Sequence, residues 1–472
     1  MTNHPISSRL PAPVARRARP ALAGLSVALA LGAAAPAQAE DWSQFQFNPG
    51  RIGLNADERA FTPDNVAMLR TAFKDHFGTN LTAGGTATAD GRLFIGAFSH
   101  LAAFAFGGCL ADSCEPLWLG DGDGAFTGTP GVSNDIAAIA NTDGFLYAFS
   151  ARGCGKAHCQ PLWRGRLNGP SLDSSVLMVG GEIVVGDGAG QLSVFSLGGC
   201  GDEVCDPLWV GRTSLPNEHV FGIPVIGDGF FFVQTTIDKP IKDSGRLLAF
   251  PLSGCGEATC KPAWVADLGG PVGSVSSPLV VAGDKVIVGT ILHPRRGASP
   301  AKDETSLLAF KATGCGTFRC QPVQTFEGRP DGFQVAWATN ADSSTLFVSA
   351  SPHFGEGTAS VLAYDLAHCG PHCQPTWRSD FQGDITFSPP ALAGGVVLVG
   401  KGNASPVDGK AGVLAFDAHG CGKAHCEPLA FIRSSPRASY FGQPLAIANG
   451  RIAFVETDDS DSSSNVAIMT LP

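Results

Sequence analysis

The sequence predicts an all-β protein, an eight-bladed β-propeller of four-stranded blades in which an N-terminal strand completes the last blade. The first of three observations behind this prediction is a recurring frame: an apolar run, usually a glycine, a cysteine, three or four further residues and a second cysteine. First cysteines recur every 45 to 60 residues, and a period of this size is typical of propellers and solenoids. Seven copies contain all fourteen cysteines: Cys109/Cys114, Cys154/Cys159, Cys200/Cys205, Cys255/Cys260, Cys315/Cys320, Cys369/Cys373 and Cys421/Cys426.

The second observation is the content of one period. Four short runs rich in Val, Leu and Phe are separated by Gly, Pro and Asp, for example at residues 276–281, 285–289, 306–310 and 321–326. Such runs indicate antiparallel strands, here called A, B, C and D in chain order. Four-stranded units repeated around a ring form a propeller.

The third observation concerns the chain ends. Three runs follow the last cysteine frame, at residues 440–447, 451–455 and 466–471, and they lack a D strand. The apolar-alternating run at residues 69–77 precedes the first A strand, and it supplies the missing D strand. We therefore predict one domain, residues 40–472, whose last blade is shared between residues 69–77 and 439–472. A seven-bladed ring with an extra terminal hairpin is the alternative.

The N-terminus has the features of a cleaved export signal. Arg16, Arg17 and Arg19 precede an apolar stretch at residues 21–35, and Ala37-Gln38-Ala39 gives a cleavage site before Glu40. The apolar stretch is short for a retained membrane anchor. We expect residues 1–39 to be removed and the mature chain to be periplasmic or extracellular in a bacterium, where disulfides persist. The sequence leaves open which export route is used.

The charge balance limits the kinds of partner that the chain can bind. The formal net charge is −10, and the removed segment carries four arginines and no acids, which leaves 28 basic against 42 acidic residues. This balance disfavours nucleic acid and anionic membrane surfaces, since both require basic patches. No later apolar run could span a bilayer, and we expect a monomer with a protein or polymer ligand.

Parts of the repeat resemble a known family. Residues 363–365 and 415–417 read Ala-aromatic-Asp, and five D strands begin with tryptophan, whereas Gln324 and Ala430 depart from that pattern. The five are Trp118, Trp163, Trp209, Trp264 and Trp377. Together with the opening Asp-Trp-Ser-Gln-Phe at residues 41–45, these features resemble the secreted pyrroloquinoline-quinone-type (PQQ-like) β-propeller repeat proteins. The resemblance implies the fold and tryptophans that pack between blades, and it leaves the function open.

The cysteine pairs have two interpretations. A disulfide in each C–D hairpin is favoured because every cysteine has a near partner and the chain is expected in an oxidising space. Metal binding is the alternative, but zinc needs four ligands, and nearby histidines occur in only three copies. We predict seven local disulfides and no resident metal.

Loop lengths suggest where a ligand binds. Because strand directions alternate, B–C loops and D–A connections share one face, here the loop face, and A–B turns and cysteine hairpins share the other, the hairpin face. B–C loops are short in the first three blades and longer later, at residues 236–245, 291–305, 352–359, 403–411 and 457–465. Variable loops on a rigid scaffold commonly carry function. Candidate ligand-binding residues at the D–A entries are Asp173, His219, Trp337, Asp384 and Gln443.

Two classes of function remain open. We favour an exported, non-catalytic propeller that binds a protein, a polymer or a small ligand on the loop face. The alternative, which the resemblance implies, is a quinoprotein oxidoreductase of alcohols or sugars that uses PQQ with calcium. Against the alternative, the sequence has no adjacent Cys-Cys pair and no Cys-x-x-Cys-His for haem attachment. The acidic turns at residues 120–124 and 458–461 lack the full spacing of a calcium loop.

Overall fold

The eight predicted blades are present and each is an antiparallel sheet. The structure is a computed structural model, and it describes residues 40–79, 84–109, 113–171, 174–213, 215, 218–237, 244–269, 279–292, 304–326, 334–339, 344–351, 358–382, 388–402, 412–434, 438–440, 444–458 and 463–472. Within these residues the helical structure is one 3-10 turn, Val66–Met68, and no helix is long and apolar enough to cross a membrane.

The strands of each blade follow in chain order from A to D. In the first four blades they are Ala87–Ala89, Arg92–Ala97, His100–Ala105 and Trp118–Asp121; Phe126–Ser133, Ile136–Asn141, Phe145–Ser150 and Trp163–Arg166; Leu177–Val179, Glu182–Gly186, Gln191–Ser196 and Trp209–Arg212; and Glu218–Gly227, Phe230–Ile237, Ser244–Pro251 and Trp264–Asp267. In blades five to seven they are Val280–Ala282, Lys285–Leu292, Glu304–Lys311 and Gln324–Phe326; Gln334–Thr339, Thr345–Ser351, Thr358–Asp365 and Trp377–Gln382; and Ala391–Ala393, Val396–Lys401, Gly412–Asp417 and Ala430–Ile432.

The eighth blade joins the two ends of the chain. Its A strand has two pieces, Ala438–Tyr440 and Ala446–Ala448, followed by Arg451–Asp458 and Ser463–Thr470, and its D strand is Arg70–Thr79. Arg70 pairs with Thr470 in antiparallel register. The A strands of successive blades contact one another, and that of blade eight contacts that of blade one. The A strands are therefore innermost in a closed ring, and the eight-bladed prediction is confirmed over the seven-bladed alternative.

All fourteen cysteines form the predicted local disulfides. Each disulfide hairpin also reaches the blade before it. In blade two, the short strand His158–Cys159 pairs in parallel with Leu119 and Gly120 of the D strand in blade one. The hairpins of the other cysteine-bearing blades make the same pairing or a single bridge. The disulfides thus stabilise the joints between blades as well as single hairpins.

The two cysteines of each hairpin on the hairpin face differ in burial. The first cysteine is exposed or half-buried there. The second is at most 7% exposed and lies among the buried apolar side chains, because it belongs to the stretch that pairs with the preceding blade. The buried cysteines are Cys114, Cys159, Cys205, Cys260, Cys320, Cys373 and Cys426. These seven are therefore core residues of the blade joints and do not form part of a surface site.

A glycine and a tryptophan meet at most of these joints. The glycine before the first cysteine is at positive φ and lies against the D-strand tryptophan of the preceding blade, as Gly153 does against Trp118. The other such pairs are Gly199/Trp163, Gly254/Trp209, Gly314/Trp264 and Gly420/Trp377. Where Gln324 replaces the tryptophan, His368 replaces the glycine, and the Gln324 amide donates to the Cys369 carbonyl at 3.0 Å. Gln324 and His368, which both depart from the repeat, therefore belong to the same joint between blades five and six.

Replacing Gly153 with alanine is expected to destabilise the protein by about 2–4 kcal/mol, from positive-φ strain and overpacking together. An added Cβ would lie 2.6 Å from Trp118 Cδ1, and φ is +82°. Gly155→Ala in the same hairpin is the control, since φ there is +75° but no heavy atom lies within 4 Å of the added Cβ. Urea unfolding measures both variants. Equal losses would show that the packing against tryptophan contributes nothing.

Residues 40–55 close the hairpin-face end of the central channel. Their backbone or side-chain atoms accept hydrogen bonds from the A strands of six blades, at the N–H groups of Thr88, Val132, Met178, Ile226, Val281 and Leu392. The two ends of the segment contact each other, because the Asn55 amide donates to the Glu40 carbonyl at 2.7 Å. The same amide donates to the Ile447 carbonyl of blade eight at 2.9 Å.

A buried arginine lies inside this closed segment. The Arg51 guanidinium donates to the carbonyls of Phe45, Val176 and Pro224. Burial lowers the pKa of Arg51 to about 9, which still leaves it cationic at neutral pH. Its hydrogen bonds tie the segment to the A-strand regions of blades three and four.

Candidate functional site

The predicted loop-face residues are only partly described. Asp173, Asp384 and Gln443 lie outside the described residues, as do the central parts of the five long B–C loops. Trp337 lies in the A strand of blade six, where only its backbone is described. His219 lies in the A strand of blade four, with Nδ1 2.5 Å from the Gly188 carbonyl of blade three. A shared loop-face site for these five residues stays a prediction.

At three described A-strand entries the polar side chains already have protein partners, which disfavours calcium with PQQ at these positions. Calcium requires a set of oxygen ligands that includes carboxylates. Glu218 is a carboxylate at such an entry, but it is buried and held by the Arg246 guanidinium and by Thr235 Oγ1 at 2.6 Å. At two other entries the Ser174 and Ser388 hydroxyls accept hydrogen bonds from backbone N–H groups.

The hairpin face carries a cavity of about 1040 Å³ between blades six and seven. Five segments form it: the N-terminal residues 54–59, the beginning of the B strand of blade six at residues 344–347, the C–D turn of blade six, the A–B turn of blade seven at Gly394–Gly395, and the cysteine hairpin of blade seven. Disulfides Cys369–Cys373 and Cys421–Cys426 fix the two hairpins. We call this cavity the 6/7 groove.

The floor of the 6/7 groove is apolar and well packed. Leu54, Phe347, Trp377, Leu392 and Val396 line it, and each is at most 8% exposed. Leu54 pairs in parallel with Leu392 through Leu54–Asn55, so the N-terminal segment forms part of the floor. An apolar floor of this kind suits aliphatic or aromatic ligand groups.

The rim of the 6/7 groove is polar. Arg59 and Lys423 are exposed cations, and His368 and His419 are strongly exposed imidazoles. His368 Nδ1 lies 2.8 Å from Asp365 Oδ2, and this hydrogen bond lowers the pKa of Asp365.

A second carboxylate at the rim is already engaged. Glu58 is buried and accepts hydrogen bonds from the N–H groups of Ala60 and Gly450. Arg59 and Lys423 are thus the exposed cations of a rim that also contains the carboxylates Asp365 and Glu58, on a chain of net charge −10. The arrangement can attract anionic groups and bury apolar groups beside them.

This groove was not predicted from the sequence. Its lining comes from five segments, of which residues 54–59 are distant in sequence from the others. One signal existed, because His368 stands where the other cysteine frames have glycine. A break in a repeat marks a joint that differs from its equivalents, and this histidine is part of the rim.

Comparison with known proteins shows the fold. No protein-family model matches the chain, and no curated protein matches it. Among solved structures, the quinohemoprotein alcohol dehydrogenase from Comamonas testosteroni has a TM-score of 0.62 at 11% identity, covering 91% of this chain and 80% of that one. A europium-containing methanol dehydrogenase has a TM-score of 0.64 at 10% identity and covers 91% and 98%. BamB from Moraxella catarrhalis has a TM-score of 0.52 at 14% identity and covers 86% and 98%. The likeness extends over most of the chain and concerns architecture alone.

Proposed function

We propose that this chain is an exported, non-catalytic binding propeller whose 6/7 groove takes an acidic, partly apolar segment of a partner protein. The observation that carries the proposal is the pairing of a buried apolar floor with two exposed rim cations, Arg59 and Lys423, on an otherwise acidic chain. Peptide grooves commonly combine apolar pockets, which supply affinity, with rim charges, which supply specificity and association rate. The seven disulfides support export, since they persist in oxidising compartments.

A binding role also agrees with the way the chain uses its cysteines. All fourteen are in disulfides that stabilise hairpins and blade joints, so none is available as a nucleophile or for haem attachment. The groove walls are turns held by two of these disulfides and by the Leu54–Asn55 pairing. Pre-formed walls reduce the entropy lost when a ligand binds.

The rim charges provide the test. The mature chain, residues 40–472, is titrated against a fluorescein-labelled octapeptide of alternating Asp and Leu, with fluorescence anisotropy as the readout. Arg59→Glu with Lys423→Glu is expected to weaken binding about tenfold, because each reversal replaces an exposed attraction with a repulsion of about 1 kcal/mol or less. The wild-type affinity should also fall as salt concentration rises.

The repeat offers a matched control for the charge reversal. Lys156 lies in the hairpin of blade two within Gly-Cys-Gly-Lys-Ala-His-Cys, the same local sequence that surrounds Lys423. Lys156→Glu changes the net charge without touching the 6/7 groove and should leave the affinity unchanged. No saturable binding by the wild type, or equal weakening by Lys156→Glu, contradicts the proposal.

A quinoprotein oxidoreductase is the second candidate. Its support is the structural likeness to two dehydrogenases at TM-scores of 0.62 and 0.64. The purified chain is mixed with PQQ and calcium and assayed for saturable quinone absorbance and dye-linked oxidation of alcohols or sugars. Turnover would replace the non-catalytic proposal.

A further inference from the structure

We propose a zinc site at the joint between blades one and two, formed by His100, Asp121 and His158. This site is independent of the 6/7 groove. His100 begins the C strand of blade one, and Asp121 ends its D strand directly opposite in the sheet. His158 comes from the disulfide hairpin of blade two, which pairs with that D strand. The overlap of hairpin and neighbouring blade therefore brings the three side chains together.

The donor atoms are arranged as a small ion requires. His100 Nδ1 and His158 Nδ1 lie 3.1 and 2.8 Å from Asp121 Oδ1, and the three ligand atoms are all within 4.8 Å of one another. Tetrahedral zinc with bonds of about 2.0 Å places its ligand atoms about 3.3 Å apart. Two imidazoles and one carboxylate are common zinc ligands, and the fourth position is then open to water or to a donor from a partner.

The surroundings support metal binding over a simple ion pair. Gln160 Nε2 lies 3.4 Å from Asp121 Oδ2, the oxygen that the histidines leave free, and such outer contacts orient a ligating carboxylate. Leu119 lies two residues before Asp121 and on the same face of the D strand, so this position places no competing cation beside the carboxylate. His158 is exposed and the other two residues are partly buried, so an ion can enter from solvent.

Blade six contains the same arrangement without the third ligand. Asp380 and His425 stand at the positions of Asp121 and His158, with His425 Nδ1 3.7 Å from Asp380 Oδ2. Ser360 pairs opposite Asp380 where blade one has His100, and it donates to Asp380 Oδ1 at 2.6 Å. Arg378 also contacts this carboxylate at 2.7 Å, at the position of Leu119. The chain thus contains its own comparison site, which we expect not to bind zinc.

The experiment exchanges the two sites. The mature chain, made without a polyhistidine tag and with its disulfides intact, is titrated with Zn²⁺ by calorimetry, and its Tm is measured with and without Zn²⁺. We expect one ion per chain and a higher Tm with Zn²⁺, since a ligand that binds the native state stabilises it. His100→Ser copies blade six, so it should fold, and it should weaken binding by about a hundredfold or more, beyond the usual loss from outer-contact changes.

Two further variants sharpen the result. Ser360→His with Arg378→Leu should add a second bound zinc ion per chain. His372→Ala, which removes an exposed hairpin histidine that contacts Thr325 of the preceding blade, should leave zinc binding unchanged. A wild-type chain that binds no zinc, or a His100→Ser variant that binds it as tightly, overturns the assignment.

Discussion

Removing residues 1–79 is expected to abolish the folded monomer, whereas removing residues 1–39 should leave the fold intact. The longer deletion removes the D strand of blade eight and the segment that closes the central channel. It also removes buried apolar side chains, of which the four least exposed are Trp42, Phe61, Val66 and Leu69. Their burial is worth roughly 6–12 kcal/mol at about 1.5–3 kcal/mol each, which is comparable to the total stability of a typical domain.

The deletion should also change the association state. Without Arg70–Thr79, the C strand Ser463–Thr470 becomes a free edge of blade eight, and free edges pair with other chains. Size-exclusion chromatography and thermal unfolding followed by near-UV circular dichroism distinguish the outcomes. A chain starting at Asn80 that is monomeric and unfolds cooperatively would contradict ring closure as the source of stability.

An intermediate deletion separates the two contributions. A chain that starts at Asp57 keeps the closing strand but loses Trp42, Arg51 and the contacts of residues 40–55 with the A strands. We expect it to remain monomeric with a lower Tm, because the ring is still closed while the channel end is exposed. Aggregation of this variant to the same extent as the longer deletion would assign the main role to residues 40–55.

The blades were predictable because their signal is local and repeated. Each strand is a short apolar run, and the cysteine frame marks the same hairpin in seven blades. Ring closure followed from the unpaired runs at the two ends, and the register of Arg70 with Thr470 confirms it. Disulfide pairing followed from the spacing of each pair.

The contacts between blades were less predictable. His158 reaches the D strand of blade one, and Gly153 faces Trp118, because the hairpin extends past its own blade. Apolar periodicity indicates which side chains of a strand face the adjacent blades. It does not indicate whether a hairpin extends far enough to pair with the preceding blade. The closed segment at residues 40–55 has no strand alternation, since its hydrogen bonds go to the ends of many blades. The 6/7 groove, the His100 cluster and the burial of the second cysteines depend on these longer contacts and were therefore missed.

Replacing Arg246 with methionine is expected to destabilise the protein by about 3–5 kcal/mol, since it leaves a buried carboxylate without its cation. Arg246 Nε lies 2.8 Å from Glu218 Oε1, a second guanidinium nitrogen contacts Glu218 Oε2, and both side chains are at most 3% exposed. Thr235 on the intervening strand donates to the same carboxylate, so the pair links the A, B and C strands of blade four.

Two variants determine whether the buried pair itself is responsible for that loss. Glu218→Leu combined with Arg246→Met should recover most of the stability, because replacing both charges removes the unpaired carboxylate and its desolvation cost. Arg152→Met is the control for an exposed pair, since Arg152 Nε lies 2.8 Å from Asp135 Oδ1 with the two side chains 68% and 47% exposed; its loss should be about 1 kcal/mol or less. Urea unfolding compares the three. If Arg246→Met costs no more than Arg152→Met, the buried pair does not stabilise blade four.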